Sequence, residues 1–133
     1  MADKTFQVKV VAPERTFYEG EAGFIEFNTT EGQVGIYAKH VPTTSIIAPG
    51  VLRIHEAEGV KEAALLSGFV EVLQDSITIL AESVEWPDEI DANRAKEAKI
   101  RAERRLNKEE NDIDFDRAEL ALKRAIVRLL LAR

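Results

Sequence analysis

The sequence predicts a small antiparallel β domain followed by two amphipathic helices, on three observations. Up to about residue 85, short branched or aromatic runs are punctuated by Gly32, Gly50, Gly59 and Gly68. Trp86-Pro87 then breaks the pattern, since proline disfavours helix just before it and permits one just after. Beyond it Ala, Glu, Lys and Arg dominate, all strong helix formers. With 133 residues, 45% of them hydrophobic, the chain can build one ordinary core, or one small core with an appendage.

Taken in order, Phe6, Val8 and Val10 alternate with Gln7 and Lys9, as a half-buried strand requires. Phe24-Ile25-Glu26-Phe27 and Val51-Leu52-Arg53-Ile54 are further short strand runs. Val70-Glu71-Val72-Leu73 and Ile77-Thr78-Ile79-Leu80 flank a hairpin-like turn at Gln74-Asp75-Ser76. Many short strands with regular turns imply a sandwich or flattened barrel. No strand–helix alternation occurs, which argues against a parallel nucleotide-binding sheet. The expected division is a β domain over 1–86 and a helical hairpin over 87–133.

In the second half, Asp88 and Asp91 are both candidate N-caps. Ala95, Ala98, Ala102 and Leu106 form a thin stripe of mostly small side chains, so docking against it should be weak. Asn107 to Asp112 is polar and loop-like. A second helix then runs from about Ile113 to the end, with Phe115, Ala118, Leu122, Ala125 and Leu129 at heptad spacing. This seam should pack on the first helix. Arg117, Arg124 and Arg128 form a separate narrow stripe.

Composition removes several function classes. There is no cysteine, so disulfides and thiolate metal sites are excluded. The two histidines, His40 and His55, are not at ligand spacing, and no metal site is expected. No apolar run approaches a membrane span, and Met1-Ala2-Asp3-Lys4 lacks a signal-peptide core, so the protein should stay in the compartment where it is made. The net charge of −6 argues against general nucleic-acid binding. It is uneven: residues 1–85 hold six Lys/Arg against thirteen Asp/Glu, and residues 86–133 hold twelve against eleven. A basic tip on an acidic protein suits an acidic partner or a phosphate ligand, or simply the dipole of a helix C-terminus.

No catalytic set is present. There is no phosphate loop, no glycine precedes a lysine, and the nearest serine–glycine pair, Ser67-Gly68, falls in a strand region. One constellation stands out. Asp91 opens the first helix and Arg94 lies one turn on. If the helices pack antiparallel, Arg124 and Arg128 return beside that end. By spacing alone this favours interhelical salt bridges over a nucleotide site, in which Asp91 would read the base edge and the arginines the phosphates.

Four segments resemble a known family: Gly32-Gln33-Val34-Gly35-Ile36, His40-Val41-Pro42, Leu66-Ser67-Gly68-Phe69-Val70-Glu71-Val72, and the run Asp114 to Ala125. Together, in order and over essentially the whole chain, they are similar to the epsilon subunits of bacterial F-type ATP synthases. The resemblance implies a flattened β sandwich of about ten strands with a C-terminal two-helix hairpin. It implies a non-catalytic central-stalk subunit that helps couple proton translocation to ATP synthesis, bound to the gamma subunit and the c-ring. The expected location is the cytoplasmic face of the membrane, peripheral, within the F1 sector. An opened hairpin would inhibit hydrolysis by reaching the alpha and beta catalytic subunits.

In several members the closed hairpin binds ATP through an Ile-Asp-x-x-Arg-Ala motif and arginines of the last helix. Here these stand as Ile90, Asp91, Arg94 and Ala95, with Arg124 and Arg128, and Glu85 takes the place of a further carboxylate. The resemblance thus raises the nucleotide reading above the salt bridges. No cofactor is required, and ATP acts as a regulatory ligand with or without Mg2+. Expected partner contacts are His40 and Pro42 toward the c-ring, and Arg101, Arg104, Arg105, Arg117 and Lys123 toward acidic catalytic subunits. One departure is Lys39, where the family often has glycine. The rival reading is a structural adaptor whose hairpin stays closed and binds no nucleotide.

Overall fold

The structure, a computed structural model, describes residues 5–108 and 112–132, without the side chains of 108 and 112–114. Eight strands precede two helices: β1 (Phe6–Ala12), β2 (Arg15–Ala22), β3 (Phe24–Thr29), β4 (Gly32–Tyr37), β5 (Thr43–Ile47), β6 (Gly50–Glu56), β7 (Gly59–Val72), β8 (Ser76–Glu85), α1 (Ala92–Lys108) and α2 (Asp112–Leu131). A short 3-10 turn, Pro87–Glu89, joins β8 to α1. No helix among the described residues is long and apolar enough to cross a membrane.

The strands run β2-β1-β8-β7-β5-β3-β4, and β6 pairs with both β3 and β7. The links β3–β6–β7–β5–β3 therefore close a ring, and the sandwich is folded from one continuous sheet. Eight strands replace the expected ten because β7 and β8 are long and each serves both layers. β7 pairs with β6 through Gly59–Leu65 and with β5 through Gly68–Val72, on either side of a register shift at Ser67 and Gly68. Gly68 has φ +143°, and a Cβ there would lie 2.3 Å from the Leu80 carbonyl oxygen. Only glycine permits that bend. Among the described residues all pairings are antiparallel save one: β1 lies parallel to β8. The whole domain between them supplies the crossover that a parallel pair needs.

The alternation of β1 is borne out: Phe6, Val8 and Val10 are buried, and Gln7 and Lys9 are exposed. With Ile25, Phe27, Leu52, Ile54, Ile77 and Ile79 they form the main core. The turn at Gln74-Asp75-Ser76 also forms where expected, between β7 and β8.

The hairpin is built differently. Ala95, Ala102, Ala118 and Ala125 are its buried seam, each at most 2% exposed. Leu122 and Leu129 are only half-buried, and Phe115, expected in the seam, is 42% exposed. The physical reason is geometric: alanine-to-alanine contact brings the helices close, leaving room for larger residues only at its margins. α2 docks on β7 and β6. Val127 joins Ala64, Leu66 and Ile90 in a second small cluster, with Val51, Leu131 and Ala132 packed around it. Of the two expected caps, Asp91 serves α1 and Asp88 lies within the 3-10 turn. The loop expected at Asn107 to Asp112 is shorter, since Asn107 is helical and Asp112 opens α2. Residues 109–111 lie outside the described residues.

Candidate functional site

Three elements meet where α1 starts, α2 ends and β8 finishes. Glu85 is the last residue of β8. Asp91 is fixed as the N-cap of α1: its Oδ1 accepts the Arg94 N–H at 3.1 Å, satisfying an amide that the first turn leaves without a partner. Arg94, Ala95, Ala98 and Arg101 follow on α1, with Ala95 turned into the helix seam. Arg128 enters from the last turn of α2 and donates through Nε to Glu85 Oε1 at 2.6 Å. With both partners about 30% exposed, this pair contributes about 1 kcal/mol to holding α2 on the sandwich.

Glu85, Asp91, Arg94, Ala95, Ala98, Arg101 and Arg128 line one cleft of about 250 Å³. Its wall offers three guanidiniums and two carboxylates, so an anion would find excess positive charge there. Arg124 lies one turn before Arg128, half-buried, and its Nε is buried without a hydrogen-bond partner among the described residues. A buried guanidinium N–H left unpaired is costly, so Arg124 is a group that a ligand oxygen or a modest rotation would satisfy.

The structure thus gathers five of the seven nucleotide-site candidates into the cleft, and sets Arg124 one helical turn from it. The seventh, Ile90, does not line the cleft but is buried at 6% exposure against the sandwich and Val127. It anchors the segment instead. Arg101, expected to meet a protein partner, lines the cleft, because it sits seven residues, about two turns, beyond Arg94 on the same helix face. Arg104, Arg105 and Arg117 are exposed, and Lys123 is paired with Glu119 at 3.7 Å.

The two halves of this architecture match two family models in sequence. Residues 5–87 match the β-sandwich domain of the ATP synthase delta/epsilon chain, and residues 88–132 match its long α-helix domain. The chain belongs to the ATP synthase delta/epsilon chain family. The ATP synthase epsilon chain of Caldanaerobacter subterraneus subsp. tengcongensis is 47% identical over 131 residues, covering 98% of this chain and 95% of that one. That of Shouchella clausii is 46% identical, covering 97% and 96%. In the mitochondrial ATP synthase of Euglena gracilis, solved as OSCP, F1 and c-ring, a chain superposes with TM-score 0.77 at 20% identity, covering 90% of this chain and 76% of that one. At that identity the likeness speaks for the fold.

Two further surfaces stand out. The loop of His40 and Pro42 is tied to the β7–β8 turn by a hydrogen bond from the Lys39 N–H to the Gln74 carbonyl at 3.0 Å. It therefore lies at the start of β8, about 30 Å of strand from Glu85. His40 Nδ1 lies 2.8 Å from the Val41 carbonyl, and Pro42 is exposed. Lys39 adopts φ +62°, a conformation that costs a side-chain-bearing residue about 1 kcal/mol. Sequence reasoning missed the other surface. Ile46, Phe69 and Leu80 pair across β5, β7 and β8 and are 60%, 44% and 50% exposed. The signal was present in three adjacent apolar pairs, Ile46-Ile47, Phe69-Val70 and Ile79-Leu80. A pleated strand sends one member of each pair outward.

Proposed function

We propose that this chain is the epsilon-type subunit of an ATP synthase rotor, with its sandwich fixed in the central stalk and its hairpin acting as a nucleotide-sensitive brake on ATP hydrolysis. The observation that carries this reading is the cleft itself, set within a full-length family match. Its residues come from β8, α1 and α2, and so converge only while the hairpin is closed on the sandwich. A ligand that bridges all three elements binds the closed state and draws the population toward it, to the extent of its differential affinity.

In this reading Arg94, Arg101, Arg124 and Arg128 take the phosphates, and Asp91 offers the oxygen not used in capping to the base. The cleft is smaller than the roughly 300–1,000 Å³ of pockets that enclose a whole ligand, so the nucleotide lies partly on the surface. Opened, the alanine seam turns to the gamma subunit, and the basic face (Arg104, Arg105, Arg117, Lys123) meets acidic catalytic subunits. The exposed row of Ile46, Phe69 and Leu80 gives the sandwich an apolar surface for gamma. The His40–Pro42 loop, at the far end of β8, faces the c-ring. The complex sits peripherally on the membrane.

Calorimetry of the isolated chain with ATP, with and without Mg2+, tests the site. One binding event is expected, lost in the Arg124→Ala/Arg128→Ala double variant while the β domain stays folded. Retained affinity in that variant would refute the assignment. The adaptor reading draws on the 2.6 Å Glu85–Arg128 pair, which already holds the hairpin closed. Removing residues 88–133 in the assembled enzyme separates the two: hydrolysis rises if the hairpin is a brake and is unchanged if it is an adaptor.

A further inference from the structure

The turn between β8 and α1 is tied to the sandwich more firmly than to the helices it introduces. Trp86 stacks on Phe17 of β2, with ring centroids 4.2 Å apart and planes at 16°, and meets Tyr18 edge-on at 6.5 Å. Pro87 is buried. Glu89 accepts an ion pair from Arg15 at 2.8 Å, and the same oxygen accepts the Trp86 N–H at 2.9 Å. Arg15 in turn lies over the Phe17 ring, 5.0 Å from its centroid. The Arg15 guanidinium and the Trp86 N–H together hold the Glu89 carboxyl below the usual range. Each tie reaches back to β2 or closes the turn on itself.

Immediately beyond, the environment changes. Ile90 is extended, with φ −77° and ψ 128°, and its side chain lies between Ala64 and Leu66 of β7 and Val127 of α2. Asp91 is the cap, and Ala92 is already helical. Just two residues therefore separate the tied turn from a rigid helix.

We propose that Arg15, Phe17 and Glu89 form a strap that keeps Trp86–Glu89 on the sandwich, so that the hairpin swings about Ile90 and Asp91 and not at the Trp86–Pro87 boundary. The inference rests on the reading that the hairpin opens. It adds that opening splits the cleft along a defined line. Glu85 stays with the rotor-bound sandwich, while Arg94, Arg101, Arg124 and Arg128 leave with the helices. Ile90 keeps Ala64 and Leu66 of β7 and loses Val127, and the backbone dihedrals of Ile90 and Asp91 absorb the rotation.

The test is a urea titration of the full chain followed residue by residue in amide NMR spectra, where the single tryptophan gives one indole signal. Expected is a first transition in which Ala95, Ala102, Ala118 and Ala125 lose their native signals. Through it Glu89 and the Trp86 indole keep theirs, as Val84 does. In Arg15→Ala, and in the size-conserving Glu89→Gln, the midpoints of Glu89 and Trp86 should fall toward that of Ala95 while Val84 holds. The strap is overturned if Glu89 and Trp86 leave with the helices in the unsubstituted chain. A single transition for all residues would instead show that the hairpin does not detach, and the opening reading would fail with it. ATP added to the titration reports on the site separately: a shift of the helical midpoint alone supports the nucleotide reading without bearing on where the hinge lies.

Discussion

Buried positions in the sandwich are filled mainly by Phe, Ile, Leu and Val; the seam between the two helices is filled by alanine. Phe27, Ile25, Leu52 and Ile79 are each at most 1% exposed, as are Ala102, Ala118 and Ala125. Equal burial thus conceals unequal stabilisation. A fully buried large apolar side chain contributes about 1.5–3 kcal/mol, and a methyl group well under about 1 kcal/mol. The proposed rotor role asks the sandwich to keep its shape under load. The hairpin is held to the sandwich by one ion pair and a four-residue cluster, and its helices to each other by methyl groups, contacts that a ligand or partner worth a few kcal/mol can override, as the proposed opening requires.

The most direct way to break this comparison is to truncate one leucine in each region. Leu52→Ala should cost the sandwich about 3 kcal/mol, because the closed ring of strands around it cannot collapse into the cavity. Leu122→Ala, at a half-buried seam position, should cost less than about 1 kcal/mol and act on the helices alone. Equal losses in chemical denaturation would show that the two regions unfold as one unit. Gly68→Ala follows, at about 2–3 kcal/mol, since it forces a Cβ against the Leu80 carbonyl at a φ that alanine avoids. Its effect should appear in the strands of both layers, because β7 serves both. The hairpin counterpart is Ala118→Leu, where overpacking costs about 1–3 kcal/mol. Helical circular dichroism should melt earlier there, with the sandwich midpoint unmoved. A variant that lowers both midpoints would mean that the seam supports the sandwich too.

How far the sequence could be read follows the same divide. Strands with large alternating residues were legible: Phe6, Val8 and Val10 pointed inward as expected, because alternation is a strong signal when one face is apolar. The hairpin's existence was legible from composition, and Asp91 from its capping position. What misled was size. Phe115 fits the heptad, yet alanine contacts set the helix spacing and leave it outside. The bend at Gly68 and the parallel β1–β8 pair are long-range facts that no local pattern encodes. At the cleft, Asp91, Arg94 and Arg128 were legible from helix geometry and family likeness together. Arg101, expected to meet a protein partner, also lines the cleft, and seeing that in advance needs the helix–helix rotation. Ile90, a nucleotide-site candidate, has its side chain packed with Ala64 and Leu66 of the sandwich and Val127 of α2.

The smallest effect expected lies where the two regions join, and it is read through pH. Tyr18 is buried beside Trp86 and donates its hydroxyl hydrogen bond to Glu56; burial, then that bond, push its pKa above the ordinary value of 10.0. Gly20 makes the arrangement possible, since a Cβ there would lie 2.6 Å from the Tyr18 hydroxyl oxygen. The folded state therefore retains the phenolic proton in a range where the unfolded chain releases it. Stability from this group is fully present below pH 10 and declines as pH rises beyond it, by at most about 1.4 kcal/mol per pH unit. Tyr18→Phe should flatten that alkaline slope of the sandwich, while the helical transition keeps its own pH dependence. Denaturation midpoints followed from pH 8 to 11 in both proteins would show it. If the substitution changed the helical slope as well, the joint would transmit protonation into the hairpin, and the sandwich could no longer be treated as a fixed base on which the helices open and close.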